Sequence, residues 1–503
     1  MGVMRLKDLS DAPPVLRIFI DPQLGRSHAP EVHWAWRWLL TTCGWAWQEA
    51  PPGAPCDVAW VCRAEDAPSA RLVILANPSA WLKPEALHLG GVSQENGMAF
   101  PRYAGERAQG PLEEAADGRL ICRRDVAFDV FWLATGQEER FYPRDRHGFH
   151  RLEDAAIFRE GVLLMALASQ IAAWLEKTLI HLGFRPPVPR WPAGRKAAVA
   201  AGHDVDYPEV NRLLEPARKL ARWGAEGLKP AFEVFSGQHH HWHFDDWVAM
   251  EQNLGLRSAF YFVPHRGSLL QYAAGTPDPF YDISGEKFRQ LFRFLRQAGV
   301  EIGLHASYRA YQNLEHFRQE KQYLEEASGG PVSGNRHHYW HLDPELPEET
   351  LWMHEQIGLE YDSSLVFDHF LGWRRGLLHP FFPFHPRLRR ELATLQLPPA
   401  WMDDQLFQFR AYNQVRPTRL ETLKLLAERV ACQGGCLTVD IHDYVYDDHL
   451  FPGWRQTYQD LLHYLQERGD YWFATPLEIA RHWAGRYRQI LDLSQGLKEG
   501  LAG

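Results

Sequence analysis

The chain has 503 residues, 45% of them hydrophobic, which is enough to bury a large core and to form two or more domains. A formal net charge of -9 argues against a dedicated nucleic-acid binder, which would carry a basic patch or stripe. The six cysteines, Cys43, Cys56, Cys62, Cys122, Cys432 and Cys436, are too few and too scattered for a disulfide scaffold.

The start, Met1-Gly2-Val3-Met4-Arg5-Leu6, lacks an apolar signal core, and the longest apolar stretch, Val162 to Leu175, is broken by Ser169 and Gln170. The expectation is a cytoplasmic protein with no integral membrane segment and an open oligomeric state. Val15 to Ile20 reads as a strand, Glu31 to Leu40 as a helix with Trp34 and Trp38 on one face, and Asp57 to Val61 and Arg71 to Ala76 as further strands. Their alternation predicts a small α/β domain over 1–185, and no glycine-rich phosphate loop follows any of the strands. Asp125 to Leu133 and then Asp154 to Leu182 read as helices, the second long and amphipathic. Between them, His147 in Asp145-Arg146-His147-Gly148 reads as a turn residue. Residues 186–196 hold Pro186, Pro187, Pro189 and Pro192, the composition of a stiff linker.

From Ala197 the pattern is apolar strand, polar end, helix. The first such strand runs into Gly202-His203-Asp204-Val205-Asp206. Residues two apart on a strand share a face, so Asp204 and Asp206 point the same way. Two carboxylates that close repel unless a proton or cation separates them, and a metal on one with the other free as a base makes a hydrolytic centre. A capping Asp pair in a strand-to-helix loop is the other reading of these residues taken alone. Ser258 to Val263 is the next strand, Glu286 to Ala298 a helix stopped by Gly299, and Val300 to Leu304 a strand ending at His305. A helix over Asn313 to Ala327 leads to a short strand ending near Arg336, Pro347 to Gln356 is helical, and Gly435 to Ile441 is a late strand ending at His442. Strands alternating with helices over 197–488 predict a parallel barrel, whose functional residues gather where strands meet the loops that follow them. Four strand ends then supply Asp204 and Asp206, His305, Arg336 and His442, the groups that hydrolysis of an unactivated amide or ester requires. Residues 489–503 read as a tail.

These residues resemble, in order and spacing, the motifs of the polysaccharide deacetylases of carbohydrate esterase family four, in the form of a bacterial subgroup with an added amino-terminal domain. The resemblance spans roughly 197–485. It rests on Asp204-Val205-Asp206, on His305 in Gly303 to Tyr308, on Arg336 in Gly334 to Tyr339, on Gly358 with Tyr361-Asp362-Ser363-Ser364, and on His442 after an apolar strand. It implies a distorted (β/α) barrel of the polysaccharide-deacetylase type preceded by a smaller α/β domain. It further implies Asp204 as general base, Asp206 and His305 as metal ligands, Arg336 as the residue orienting the base and His442 as the acid for the leaving amine. The cofactor implied is a divalent metal, Zn²⁺ first, and the substrate an N-acetylated carbohydrate in a bacterial polysaccharide or glycan precursor. The family's second motif carries another histidine four residues after the first, where this chain has Arg309. His338 is the first candidate for the missing ligand, ahead of His203 and Tyr308. Tyr339, Asp362 and Asp403 are candidates for contact with substrate. The run His239-His240-His241-Trp242-His243 reads as a solvated loop capping a helix, and His379 to His385 as an aromatic loop over the barrel mouth or a closure of the core. Two competing functions stand beside the deacetylase: a C–N hydrolase of a small amide, and a catalytically silent glycan-binding or assembly protein.

Overall fold

The computed structural model describes residues 15–500 apart from 96, 107–111, 146, 154, 160, 211, 269, 272–274 and 408–418; the start of the chain read for a leader and Arg146 lie outside the described residues. Two parallel sheets organise it. The first holds β1 (Leu16–Ile20), β2 (Trp47–Glu49), β3 (Val58–Val61), β4 (Leu72–Leu75), β5 (Leu112–Glu114) and β6 (Leu120–Cys122) in the order β2-β1-β3-β4-β6-β5, with only the β5–β6 pair antiparallel. Helices Ala29–Cys43, Val126–Ala134 and Leu167–His181 share its core, into which Trp34, Trp36, Trp38, Trp81 and Trp132 are buried. The long helix expected from Asp154 to Leu182 is in fact interrupted. Gly161 (φ 65°) and Ala166 (φ 53°) take left-handed backbone conformations that an α-helix cannot contain, so the regular helix starts at Leu167.

The second sheet opens at Ala197. Its strands are β7 (Ala197–Val205), β8 (Ala259–Phe262), β9 (Glu301–Ala306), β10 (Gly334–His337), β11 (Tyr361–Asp362), β12 (Leu395–Gln396), β13 (Pro399–Met402), β14 (Cys436–Asp440) and β15 (Tyr471–Phe473). The order is β12-β11-β10-β9-β8-β7-β14-β13, with β15 beside the start of β7, and every pairing is parallel. The two edges of this path, β12 and β13, are separated in the chain only by Leu397 and Pro398. Three peptide steps reach about 10 Å at most, so the edges must lie near each other and the sheet curls into a distorted (β/α) barrel with an unbonded seam.

Small residues make the barrel interior possible. β7 is buried along its whole length. A Cβ on Gly202 would lie 2.6 Å from the Tyr261 ring and 3.0 Å from Arg336 Nη2, and one on Gly303 would lie 2.3 Å from the Tyr261 ring. These glycines therefore leave the space that Tyr261 and Arg336 fill.

The two sheets share a core. Leu342, Leu365, Phe381 and Phe384 from the barrel half pack with Trp34 and Phe131, and Trp34 Nε1 donates to the Phe382 carbonyl at 3.0 Å. Phe381 and Phe384 thus close this core and do not cover the barrel mouth. Residues 186–196 are a strap held at several points: Val188 and Trp191 are buried, and Trp191 Nε1 donates to the Gly434 carbonyl at 2.8 Å. The boundary placed at 488/489 is also corrected. One helix, Pro476–Gly500, runs through it because Trp483, Arg486, Ile490 and Ser494 continue a single buried stripe. Ser494 Oγ accepts from Trp47 N at 3.1 Å, which ties that helix to β2. Among the described residues no helix is long and apolar enough to cross a membrane.

Candidate functional site

Register and alternation decide which side chains enter the barrel. Asp204 pairs in register with Tyr261, Tyr261 with Gly303, and His305 with Arg336, so these residues share the inner face. His203, one residue out of phase, points away. Its Nδ1–H donates to the Ile441 carbonyl at 2.9 Å and its Nε2 faces Glu251 at 2.9 Å, so it is a packing residue.

At the mouth, three imidazoles surround one carboxylate. Asp206 Oδ1 lies 3.3 Å from His305 Nε2 and 3.6 Å from His338 Nε2, and Asp206 Oδ2 lies 3.6 Å from His442 Nε2. Each ring has its Nδ1–H committed elsewhere: His305 to the Arg336 carbonyl at 2.7 Å, His338 to Asp278 Oδ1 at 3.0 Å, and His442 to Asp403 Oδ1 at 2.8 Å. That leaves every Nε2 turned toward Asp206. Buried Asp206 Oδ1 has no hydrogen-bond partner, an arrangement that is costly unless something else occupies the space between these groups.

The set Asp206, His305 and His338 fits a small divalent cation. Donors at about 2.0–2.2 Å from one tetrahedral ion sit about 3.4 Å apart, close to the separations observed. The Nδ1–H bonds to a carbonyl and a carboxylate are those that orient metal-binding imidazoles. His338, the first candidate for the missing ligand, stands beside Asp206 and His305, while Arg309 in the second motif is exposed and lines the groove outside, where it does not oppose a cation. A second grouping, Asp204, Asp440 and His442, does not fit a metal. Arg336 Nη1 already sits 2.9 Å from Asp204 Oδ1 and 2.8 Å from Asp440 Oδ1, so the guanidinium is the cation there.

Electrostatics follow from this crowding. Burial opposes ionisation of Asp206, but His338, His305 and His442 outweigh it and hold the carboxyl well below the usual range. Burial likewise disfavours charged His305, yet Asp204 and Asp206 lift it to about 9; His442 is pushed up in the same way, chiefly by Asp403. Asp440 is pushed well up by burial and by the negative charge of Asp204. Arg336 is fully buried; it donates from Nε to Ser363 Oγ at 2.9 Å and lies over the Tyr261 ring at 4.5 Å.

Two substrate assignments are corrected. Asp362 lies on the outer face of β11 and accepts from Asn335 Nδ2 at 2.8 Å and from Ser364 Oγ at 2.7 Å, which fixes the neighbouring strand. Asp403 stands behind His442, accepting from both its backbone N and its Nδ1 at 2.8 Å, so it orients that ring and is not available to substrate. Tyr339, the third candidate, lies at the surface of the mouth. Its strained backbone (φ 58°) turns the ring outward, and it borders a groove of about 880 Å³ with Arg144, His147, Tyr308, Arg309 and His341. His147 reaches this groove from the amino-terminal half and meets the Tyr308 hydroxyl through Nδ1 at 2.8 Å. The motifs assign no role to Asp278, Asp440 or Ser363. Asp440 ends β14 two residues before His442, a spacing that signals a shared face in extended chain, whereas Asp278 sits in a loop with no periodic signal.

No family model and no curated protein matches the chain. Solved structures similar to it include one described as a polysaccharide deacetylase from Mycobacterium smegmatis, 18% identical over 59% of this chain and 94% of that one, with a TM-score of 0.40. An allantoinase is 18% identical over 61% of this chain and 96% of its own, with a TM-score of 0.39. One described as a polysaccharide deacetylase from Pseudomonas aeruginosa PAO1 is 17% identical over 61% and 96%, also with a TM-score of 0.39.

Proposed function

We propose that the chain is a metal-dependent hydrolase that removes N-acetyl groups from an amino sugar in a polysaccharide or glycan precursor. The observation that carries this reading is the convergence of three imidazole Nε2 atoms on the Asp206 carboxylate beside an arginine-held Asp204. Asp206, His305 and His338 hold the cation, which when bound supplies Lewis-acid polarisation of the amide carbonyl and acidifies water.

The residues of the chain divide the proton work. Arg336 binds Asp204 Oδ1 and holds that carboxylate in place, leaving Oδ2, 3.7 Å from His305 Nε2, to take a proton from the attacking water as general base. His442, its Nδ1–H bound to Asp403, presents a protonated Nε2 to the departing nitrogen as general acid. Asp403 is a positioning residue: it fixes the ring and stabilises its charge. Burial of Tyr261, Arg336 and Asp440 beneath the site keeps water from the barrel floor. The open groove bordered by Tyr308, Tyr339 and His147 favours a sugar chain over a small compact amide, because aromatic and polar side chains offer stacking and hydrogen bonding to rings.

The test is acetate release from N-acetylglucosamine oligosaccharides by zinc-loaded protein, with Asp204→Asn alongside. Release by the wild type and none by the variant, at equal metal content, supports the reading. Release from neither, with metal bound, overturns it; loss of metal in Asp204→Asn would show the two acids reversed.

A further inference from the structure

A second cluster lies where the excursion after β7 meets the loop after β14. Helix Leu228–Ser236 carries Glu233, His239 follows it, and His449 lies in the later loop. Glu233 Oε2 is 3.6 Å from His239 Nε2 and 3.5 Å from His449 Nε2. The two rings stack at 4.3 Å with an interplanar angle of 3°, and His239 Nδ1–H is committed to Asp447 Oδ2 at 2.8 Å. Glu233 is 8% exposed, and its Oε2 is buried with no hydrogen-bond partner; its other oxygen lies 3.7 Å from Lys229 Nζ.

This repeats, on unrelated elements, the donor set and spacing of the central site, with one difference: a bound ion lies in the plane of each imidazole, so the stacked, 40% exposed His449 ring has to turn about its Cβ–Cγ bond to join His239 on it. One orphaned carboxylate oxygen faces two imidazole Nε2 atoms at separations near the roughly 3.4 Å edge of a tetrahedral metal site, and an acid behind one ring fixes its tautomer. Another histidine–carboxylate cluster, His265, His316 and Glu320, has no unpartnered carboxylate oxygen: Glu320 accepts from Ser307 N at 3.0 Å and lies 2.9 Å from His316. The helical spacing of His239 and His243 is not the pairing used. His243 turns instead to Asp246, at 2.7 Å.

We propose that Glu233, His239 and His449 form a second divalent-cation site, of the chemistry that takes Zn²⁺, and that the ion fastens the loop 443–451 to helix Leu228–Ser236. That loop begins next to His442, so the clasp holds the segment that follows the proton donor of the mouth. The assignment does not depend on the hydrolase reading.

The experiment strips the full chain with chelator, adds Zn²⁺, removes the excess and measures zinc per chain. It is run on the wild type, His305→Ala, His449→Ala and Glu233→Gln, with thermal melts to show that each is folded. The expected result is that His449→Ala and Glu233→Gln each lose one equivalent that His305→Ala retains, and that amide exchange in 443–451 speeds up in those two variants alone. Wild-type zinc content and exchange in both His449→Ala and Glu233→Gln would overturn the proposal. Zinc lost in His449→Ala but unchanged in His305→Ala would uphold it while removing the metal from the central site.

Discussion

The barrel mouth and the rim cluster present the same donors at nearly the same spacing, one carboxylate oxygen facing two imidazole Nε2 atoms at 3.3 and 3.6 Å in one and at 3.6 and 3.5 Å in the other. Their surroundings differ. The central set hangs from strand ends in a continuous sheet and adds an arginine-held second acid and a third imidazole. The rim set joins a helix to a loop, its His449 side chain is 40% exposed, and the acid beside it, Asp447, is engaged by His239 Nδ1. Donor spacing alone makes a place for an ion; chemistry needs the additional acid and proton donor that only the strand ends bring.

The largest effect that would break this contrast comes from the acid unique to the mouth. Asp204→Asn should lower acetate release by about 10³-fold, within the usual range for loss of a general base, with zinc content unchanged at both places. A residual activity near wild type would leave the two clusters chemically equivalent. Next in size are the acids behind the rings: Asp278→Asn should weaken zinc at the mouth and Asp447→Asn zinc at the rim, each by about 10–100-fold. Competition with a chromophoric chelator reads both, and a crossed effect would deny that the sites are separate.

A third imidazole pair sharpens the comparison by lacking room for an ion. His337 and His354 face each other, Nε2 to Nε2, at 2.9 Å in the core, so one must donate and the other accept. Burial pushes both down, His354 to about 3. The unfolded chain takes up protons as pH falls through about 6.5 while the folded pair does not. Stability should therefore fall below that pH by up to about 1.4 kcal/mol per unit per histidine, and go on falling toward the folded value. Urea melts between pH 7 and pH 5 on the metal-free protein measure it; stability flat across this window would mean the pair is not kept neutral. The smallest effect belongs to Arg309→Ala, which should leave zinc at both sites within error, because the side chain faces the groove. A gain or loss of metal would place it inside the mouth after all.

Much of the central site was legible because strands enforce it. Asp204, His305 and His442 each follow an apolar run, Arg336 closes a short strand between two helices, and parallel pairing carries strand ends to one rim. The same alternation assigns Asp362 to the outer face, a consequence that its place in a recognisable motif obscured. Asp403 was placed near the substrate because it ends an apolar run, but only the β13–β14 pairing shows it standing behind His442. Asp278 and the rim residues gave no signal: Asp278, Glu233 and His449 come from a loop, a helix and another loop, and no spacing rule joins them. The helix expected from Asp154 failed at backbone conformations that composition does not report, above all the positive φ of Ala166. The tail was misplaced because a buried stripe on a helix surrounded by charged residues is hard to tell from a solvated face.

That last helix has a consequence for how the molecule is made. The amino-terminal sheet leaves the ribosome early, yet the free edge of β2 is covered by Ser494, whose Oγ and carbonyl receive Trp47 N and the Gln48 amide at 3.1 and 2.8 Å. At about 5–20 residues per second of synthesis, that edge waits unprotected for tens of seconds, the interval in which exposed strands invite wrong partners. Translation speed and chaperone supply should therefore govern the yield of this protein more than the stability of its finished barrel.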